Sequence, residues 1–404
     1  MREFKLPTLR FLKKPAPLRV GFLPTNDCAP LVVAQELGLF DKYELEVELQ
    51  RESDWTRLRD KVSEGELDAA HAPSTLPFLI SMGLNSTVCR CVSGMVLSLQ
   101  GNAIVLSRRL WNEGVRDAMS LRVRIMRDWA SRTYSFGVMF PYSAQYFLLR
   151  RWLRSTGMMA DVRVRIIAVP PSQMYPLLKL GYLDGYCIGE PWTTIAVQAG
   201  AGVCVTTSAQ LAPLHPEKVL IVRETFAEKR AEEHERLIAA LLEACALCDK
   251  PEFRRQLGGL LAQPHYVNAP VEACDAAPAN PSKPVRQRVS AQVGSSIFFR
   301  YGATDPTQEK AAWLASHLNE FLRWSDLRTA LDRPTDLTDG IFRPDIYRRG
   351  CRLAMDELRQ IASGETPLAT TPLQSLLRQW RRKKSLFNRR RSAAAQSETR
   401  QAAS

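Results

Sequence analysis

No stretch of this sequence is apolar for long enough to cross a bilayer. Arg, Lys, Pro or Gly interrupts every hydrophobic run well short of the ~20 residues that a membrane helix requires. The opening residues, MREFKLPTLRFLKKPAPLRVGF, carry basic side chains but no continuous apolar segment followed by a small-residue cleavage site. The expectation is a cytoplasmic chain with no membrane partner. Histidine is scarce, at five in 404 residues. Cys245 and Cys248 have no second pair or suitably spaced histidine to complete a zinc site, and both fall on one apolar helical face, so they are expected in the core; the same is expected of Cys89 and Cys91. The nine scattered cysteines suit reduced thiols better than a disulfide framework. No Gly-x-x-x-x-Gly-Lys-Ser/Thr loop occurs, which excludes a P-loop ATPase in this chain. No Ser-His-Asp, Cys-His or paired-carboxylate arrangement can be read, and neither an enzyme nor a cofactor is expected.

What is present is alternation. LRVGFL, ELEVELQ and LDAAHA read as strands, with helices between them started at Asp27 and Pro30 and at DWTRLRDKVSEG. A second series begins at NAIVLS and runs through SFGVMFP, SAQYFLLRRWLRSTG, VRVRIIAV and PSQMYPLLKLG to GYLDGYCIGEPWTT. Such alternation implies two α/β units, each with a parallel sheet under helices. Both units contain Gly-x-Leu-Asp, once in GELDAAHAP and once in GYLDGYCIGEP. The second occurrence ends in Glu190, Pro191 and Trp192, and because ligands gather at the carboxyl ends of parallel strands, the echo is expected to face a cleft, with Glu190 and Trp192 on it and His71 as a further candidate. His215 is expected to cap the HPEK turn. Further on, ACDAAPANPSKPVRQRVSAQ reads as a loop. From Pro372 onward, nine basic residues face Glu398 alone, so this end supplies +8 of the net +13. A solvated tail is the preferred reading there, and direct nucleic-acid contact through Trp380, Phe387 and the arginines the alternative.

VGFLPTNDCAPLVVAQELGLFDKYELEVEL, SDWTRLRDKVSEGELDAAH, GYLDGYCIGEPW, HPEKVLIV, PHYVNAP and FRPDIYRRG, in that order over roughly residues 17–355, resemble the nitrate-binding and bicarbonate-binding proteins of bacterial ABC transporters. The resemblance implies an α/β, two-lobed periplasmic-binding-protein fold of type II, with a ligand cleft between lobes joined by two crossover strands. It divides the chain into an N-terminal extension (1–16), a discontinuous first lobe (17–104 and 219–363), a second lobe (105–218) and a basic tail (364–404). It also implies an anion site: Trp55 and Lys218 stand where the family has Trp and Lys, Asn102 where it has Gln, and Gln145 where it has His. In the bicarbonate branch the position of Lys218 carries an acid and the site recruits calcium, so a lysine there implies the nitrate branch and no metal. Pairing of Lys218 with Glu217 or Glu190 at the surface stays open; if Lys218 is instead the cleft cation, exchange for Glu is expected to abolish binding with the fold intact. The cytoplasmic branch of the family consists of nitrate/nitrite sensors that hold an ANTAR-type antiterminator protein controlling nitrate assimilation genes. Such a sensor is the expected function, with the substrate-binding component of a nitrate ABC transporter as the alternative. Relatives that build the thiamin pyrimidine share the fold but carry a cysteine cluster absent here.

Overall fold

The computed structural model describes residues 16–84, 86–157, 163–274, 296–324 and 340–364. The N-terminal extension, most of the Pro-, Ala- and Ser-rich loop and the basic tail lie outside the described residues. The strands are β1 (Leu18–Phe22), β2 (Val47–Arg51), β3 (Ala69–Pro73), β4 (Cys91–Leu99), β5 (Asn102–Ser107), β6 (Tyr134–Val138), β7 (Val164–Ala168), β8 (Gly185–Gly189), β9 (Gly202–Thr207) and β10 (Pro216–Arg223). They form two five-stranded sheets, ordered β2-β1-β3-β10-β4 and β7-β6-β8-β5-β9. The two orders are one pattern used twice. Three parallel strands stand beside an antiparallel fourth, β10 against β3 in the first sheet and β5 against β8 in the second.

The fourth strand of each sheet is the one that follows a crossing between sheets. Since β5 pairs from Asn102↔Gly189 onward and β10 from Pro216↔Leu99, the crossings fall at Gln100–Gly101 and Ala212–His215. They therefore precede β5 and β10 instead of dividing those strands at 104 and 218. Both crossings contain left-handed backbone, Gln100 (φ 48°) with Gly101 (φ 99°) and Leu214 (φ 59°). They also bond to each other, Gln100 N to the His215 carbonyl at 3.0 Å. The two connections thus run side by side.

The Gly-x-Leu-Asp echo is structural. Gly65 and Gly181 cap their helices in left-handed conformation (φ 86° and 82°), where a side chain would be strained. Three residues on, Asp68 Oδ2 accepts the backbone N–H of Arg19, and Asp184 Oδ2 accepts that of Ser135, each at 2.9 Å. Arg19 and Ser135 are the second residues of β1 and β6, so both aspartates pin a strand start, at the end of the sheet opposite the strands' carboxyl ends. Asp184 also receives Arg109 (2.7 Å) and Arg132. Asp184→Ala strands these donors and is expected to cost about 2 kcal/mol, discounted because both arginines are partly solvated, in a urea titration. An unchanged midpoint would show that the pin is idle.

The helix Gln308–Trp324, assigned by its position to the first lobe, lies against both lobes. Ala311, Leu314 and Leu318 are buried in the cluster that holds Leu76 and Phe78 of the first lobe. On its other side, Trp313 lies 5.5 Å from His215, His317 lies 5.5 Å from Phe147, and Phe321 packs edge-on to Tyr142 at 4.5 Å. Cys245 and Cys248 are buried in the core, as is Cys91, whereas Cys89 is only half-buried. Among the described residues no helix is long and apolar enough to cross a membrane, and no group of histidine, cysteine and carboxylate is placed to hold a metal.

Candidate functional site

The first lobe supplies an ionic cluster where β10 runs beside the end of β3. The β10 register against β4 shifts between Pro216 and Lys218 and again between Lys218 and Val219. Such a bulge turns neighbouring side chains, which alternation would send to opposite faces, toward one another. Lys218 Nζ lies 2.7 Å from Glu217 Oε1 and 2.8 Å from Asp27 Oδ2. All three side chains are buried, Lys218 to 1% exposure. Burial works to lower the Lys218 pKa, but Asp27 and Glu217 hold it above its ordinary value. Burial works to raise both carboxylates, and Lys218 keeps both below theirs. Lys218 is thus neither a free cleft cation nor a surface partner of Glu190. It is a buried ammonium between two carboxylates, with one of its three N–H donors left to offer.

Two rings stand over this cluster. Trp55, the first residue of a helix capped by Asp54 (Oδ1 to Arg57 N, 2.9 Å), has its ring 5.7 Å from Lys218 Nζ and 6.3 Å from the His71 ring. His71, in β3, is fully buried, 3.5 Å from Asp27 Oδ1, and neither ring nitrogen makes a hydrogen bond. Burial lowers its pKa to about 4, assisted by Lys218 and opposed by Asp27. With His71 neutral, Asp27, Glu217 and Lys218 leave one negative charge uncompensated. His215 stands at the edge, Nδ1 donating to the Ala212 carbonyl (2.8 Å) as a turn cap and Nε2 3.4 Å from Glu217 Oε2.

The second lobe supplies amides. Asn102 opens β5, and Gln145 lies in the first turn of the helix Ala144–Arg154, which Ser143 caps. Gln145 Nε2 donates to Asn102 Oδ1 at 2.9 Å, which orients Asn102 so that its buried Nδ2 has no hydrogen-bond partner. No hydrogen bond joins this pair to the Lys218 cluster among the described residues. Glu190 and Trp192 serve the seam between lobes. The Glu190 carbonyl accepts Asn26 N (2.8 Å), Trp192 Nε1 donates to the Pro24 carbonyl (3.1 Å), and Glu190 Oε2 accepts Thr194 N (2.9 Å). Loss of water pushes the Glu190 carboxyl up to about 7.

Trp55, His71 and Lys218 therefore form one group, Asn102 and Gln145 a second, and Glu190 with Trp192 a lobe-to-lobe contact. Sequence reasoning missed Asp27, read as a helix start, and Glu217, read only as a surface partner. Five buried polar atoms of these two groups make no hydrogen bond: both His71 nitrogens, His215 Nε2, Glu217 Oε2 and Asn102 Nδ2. Buried polar groups are rarely left unpaired, and a cluster of them points to an absent polar ligand.

Residues 13–262 match the sequence pattern of the NMT1-like family. The chain is 33% identical over 341 residues to the nitrate import ATP-binding protein NrtC of Synechocystis, covering 83% of this chain and 50% of that one. It is 35% identical over 312 residues to the bicarbonate transport ATP-binding protein CmpC of Synechococcus elongatus, covering 77% and 45%. The chain thus spans about half the length of these curated relatives. The crystal structure of the periplasmic nitrate-binding protein NrtA of Synechocystis superposes with a TM-score of 0.75 at 25% identity, covering 83% of this chain and 88% of that one. The fold is that of the two-lobed periplasmic-binding proteins.

Proposed function

The chain belongs to the NMT1-like family, and from that premise we propose that it is a binding protein, not an enzyme, and takes a small planar anion, nitrate or nitrite, between its lobes. The observation that carries this reading is the presence of buried donors: in the first lobe Lys218 has a third N–H with the Trp55 ring as a flat wall 5.7 Å from it, and in the second Asn102 Nδ2 has no partner. An anion leaving water needs such donors to offset its lost hydration. Thermal shift of the full chain with nitrate, nitrite, bicarbonate and sulfate tests it, because a ligand that binds only the folded state raises the melting temperature. Nitrate or nitrite should give the largest rise, and a rise with sulfate alone would reject the assignment. The uncompensated carboxylate opposes any anion. Asp27→Asn, which neutralises the cluster, is expected to tighten binding about tenfold; weaker binding would mean that Asp27 itself holds the ligand.

The finer reading is that occupancy of the cleft is sensed by a protein. We place the chain in the cytoplasm, where closure around the anion would release an ANTAR-type antiterminator, since a ligand shifts an equilibrium only through its different affinity for two states. The alternative is a substrate-binding component that delivers nitrate to an ABC transporter. Both require an exposed docking face, and the helix Ala118–Arg127 offers one. Met119, Val123 and Met126 are 52–64% exposed along one stripe, with Arg122 and Arg127 among them, which suits an acidic amphipathic segment. Cell fractionation and co-purification with and without nitrate separate the two. Periplasmic recovery, or partner binding unaltered by saturating anion, would remove the sensor reading.

A further inference from the structure

The ion pairs of the first-lobe cluster leave His71 without a task. Its ring is fully buried in the middle of β3, and neither nitrogen makes a hydrogen bond. A buried polar ring without partners costs stability, so its retention calls for a cause. Among the described residues, the charged and titratable groups around it come from two elements. Asp27, in the turn before the first helix, has Oδ1 3.5 Å from His71 Nε2. Lys218 and Glu217 lie on β10, which pairs with β3 at Leu220↔His71. Cys28, next to Asp27, is kept a neutral thiol by burial. The helix that begins at Trp55 brings an uncharged ring, 6.3 Å away. His215 stands on Glu217, its Nε2 3.4 Å from Oε2.

We propose, on the reading of the cleft as an anion site, that it takes its anion together with a proton, and that His71 holds the proton. With His71 neutral, the ion pairs among the described residues leave one carboxylate uncompensated. A monovalent anion adds a second negative charge out of water, and each such charge is costly without a counterion. Lys218 already carries its proton, and it keeps Asp27 and Glu217 below their ordinary values, so neither carboxylate takes one up near neutral pH. An imidazolium at His71 answers the shortfall. One N–H then faces Asp27, and the other is a charged donor left for the ligand. Burial by itself holds the ring neutral, at about 4. An anion beside it raises that value, and by linkage a lower pH then strengthens the anion's binding. The proton comes from solvent, and no covalent bond is made or broken in the ligand.

Calorimetry with nitrate and nitrite on the full chain, paired with a pH-stat in unbuffered solution, decides it. Both anions are ionised at about pH 6, so any proton taken up there belongs to the protein. The wild type should take up about one proton per anion bound at about pH 6, and its dissociation constant should fall about fivefold from about pH 7 to about pH 6. His71→Gln, which keeps a polar side chain that does not titrate, should bind without proton uptake and with the same affinity at both pH values. Asp27→Asn, whose cluster is neutral without the proton, should also bind with no uptake, and it stands in if the histidine variant fails to fold. Anion binding by the wild type with no proton taken up, or uptake that persists in His71→Gln at Glu190 or His215, or in Asp27→Asn, would overturn the assignment and leave the anion site standing. Absence of nitrate and nitrite binding at either pH would remove both.

Discussion

Replacing Lys218 with glutamate should remove the fold's stability together with the ligand, a larger effect than the loss of binding alone that the sequence led us to expect. The ammonium is buried between Asp27 and Glu217, so Lys218→Glu would bring three carboxylates together out of water. Truncating one partner of a buried ion pair costs about 3–5 kcal/mol, and adding a like charge costs more. The melting temperature should fall by on the order of 10 °C. The variant that isolates ligand chemistry is Lys218→Met with Asp27→Asn and Glu217→Gln, which deletes the donor and leaves no buried charge without its partner. It should melt near the wild-type temperature and show no nitrate-dependent rise. If Lys218→Glu melts like the wild type, the ammonium is solvated and the buried cluster is misplaced.

Acid should destabilise the protein from about pH 6.5 downward, well before its ordinary carboxylates titrate. His71 and His234 are both fully buried with no hydrogen bond to either ring nitrogen. Burial lowers them to about 4 and about 3, helped at His234 by Arg343 and Arg349. A depressed histidine binds its proton more readily in the unfolded chain, so its stabilisation is complete above the unfolded value near 6.5 and is lost as pH falls to the folded one. For His71 this is on the order of 3 kcal/mol. Glu190 acts in the opposite sense. Its raised pKa, about 7, makes the native chain the better proton binder between about 4.5 and 7, so its contribution declines as pH rises through that window. Between about 4.5 and 6.5 two histidines oppose one glutamate, and stability still falls with acid. Below that, protonation of Asp27 and Glu217, both held below their ordinary values, steepens the loss. Urea midpoints at pH 7.5, 5.5 and 4.5 should decline, and His234→Leu should flatten the slope. A flat profile would show that these rings reach water.

The fold was readable because its signals are local. Strand-helix alternation, the Asp54 cap and the glycines after the helices are written within a few residues of where they act. β4 and β9 escaped notice, since CVSGMVLSL is buried throughout and lacks alternation, while GVCVTT is short and half-polar. The site was less legible. Trp55 and Lys218 were singled out by resemblance, whereas the Asp27 that grips Lys218 lies 191 residues away and carries no local mark of that pairing. Glu190 and Trp192 had the composition of a ligand wall, but their bonds to Pro24 and Asn26 assign them to the seam between lobes. Gly-x-Leu-Asp repeats where each sheet has the start of the middle one of its three parallel strands pinned.

The strand order also sets a timetable for synthesis. The second sheet is drawn from one uninterrupted stretch, Asn102 to Thr207, so every strand it needs is made, and emerges, before Pro216. The first sheet cannot close by then. β10 sits between β3 and β4 and is the strand that joins them, so β4 waits without a neighbour until about 120 further residues have followed. The nascent chain should therefore carry a finished second lobe beside an open first one, with the apolar edges of β3 and β4 exposed. This interval is when chaperone capture or mispairing is most to be expected, and slow elongation before β10 has emerged would lengthen it.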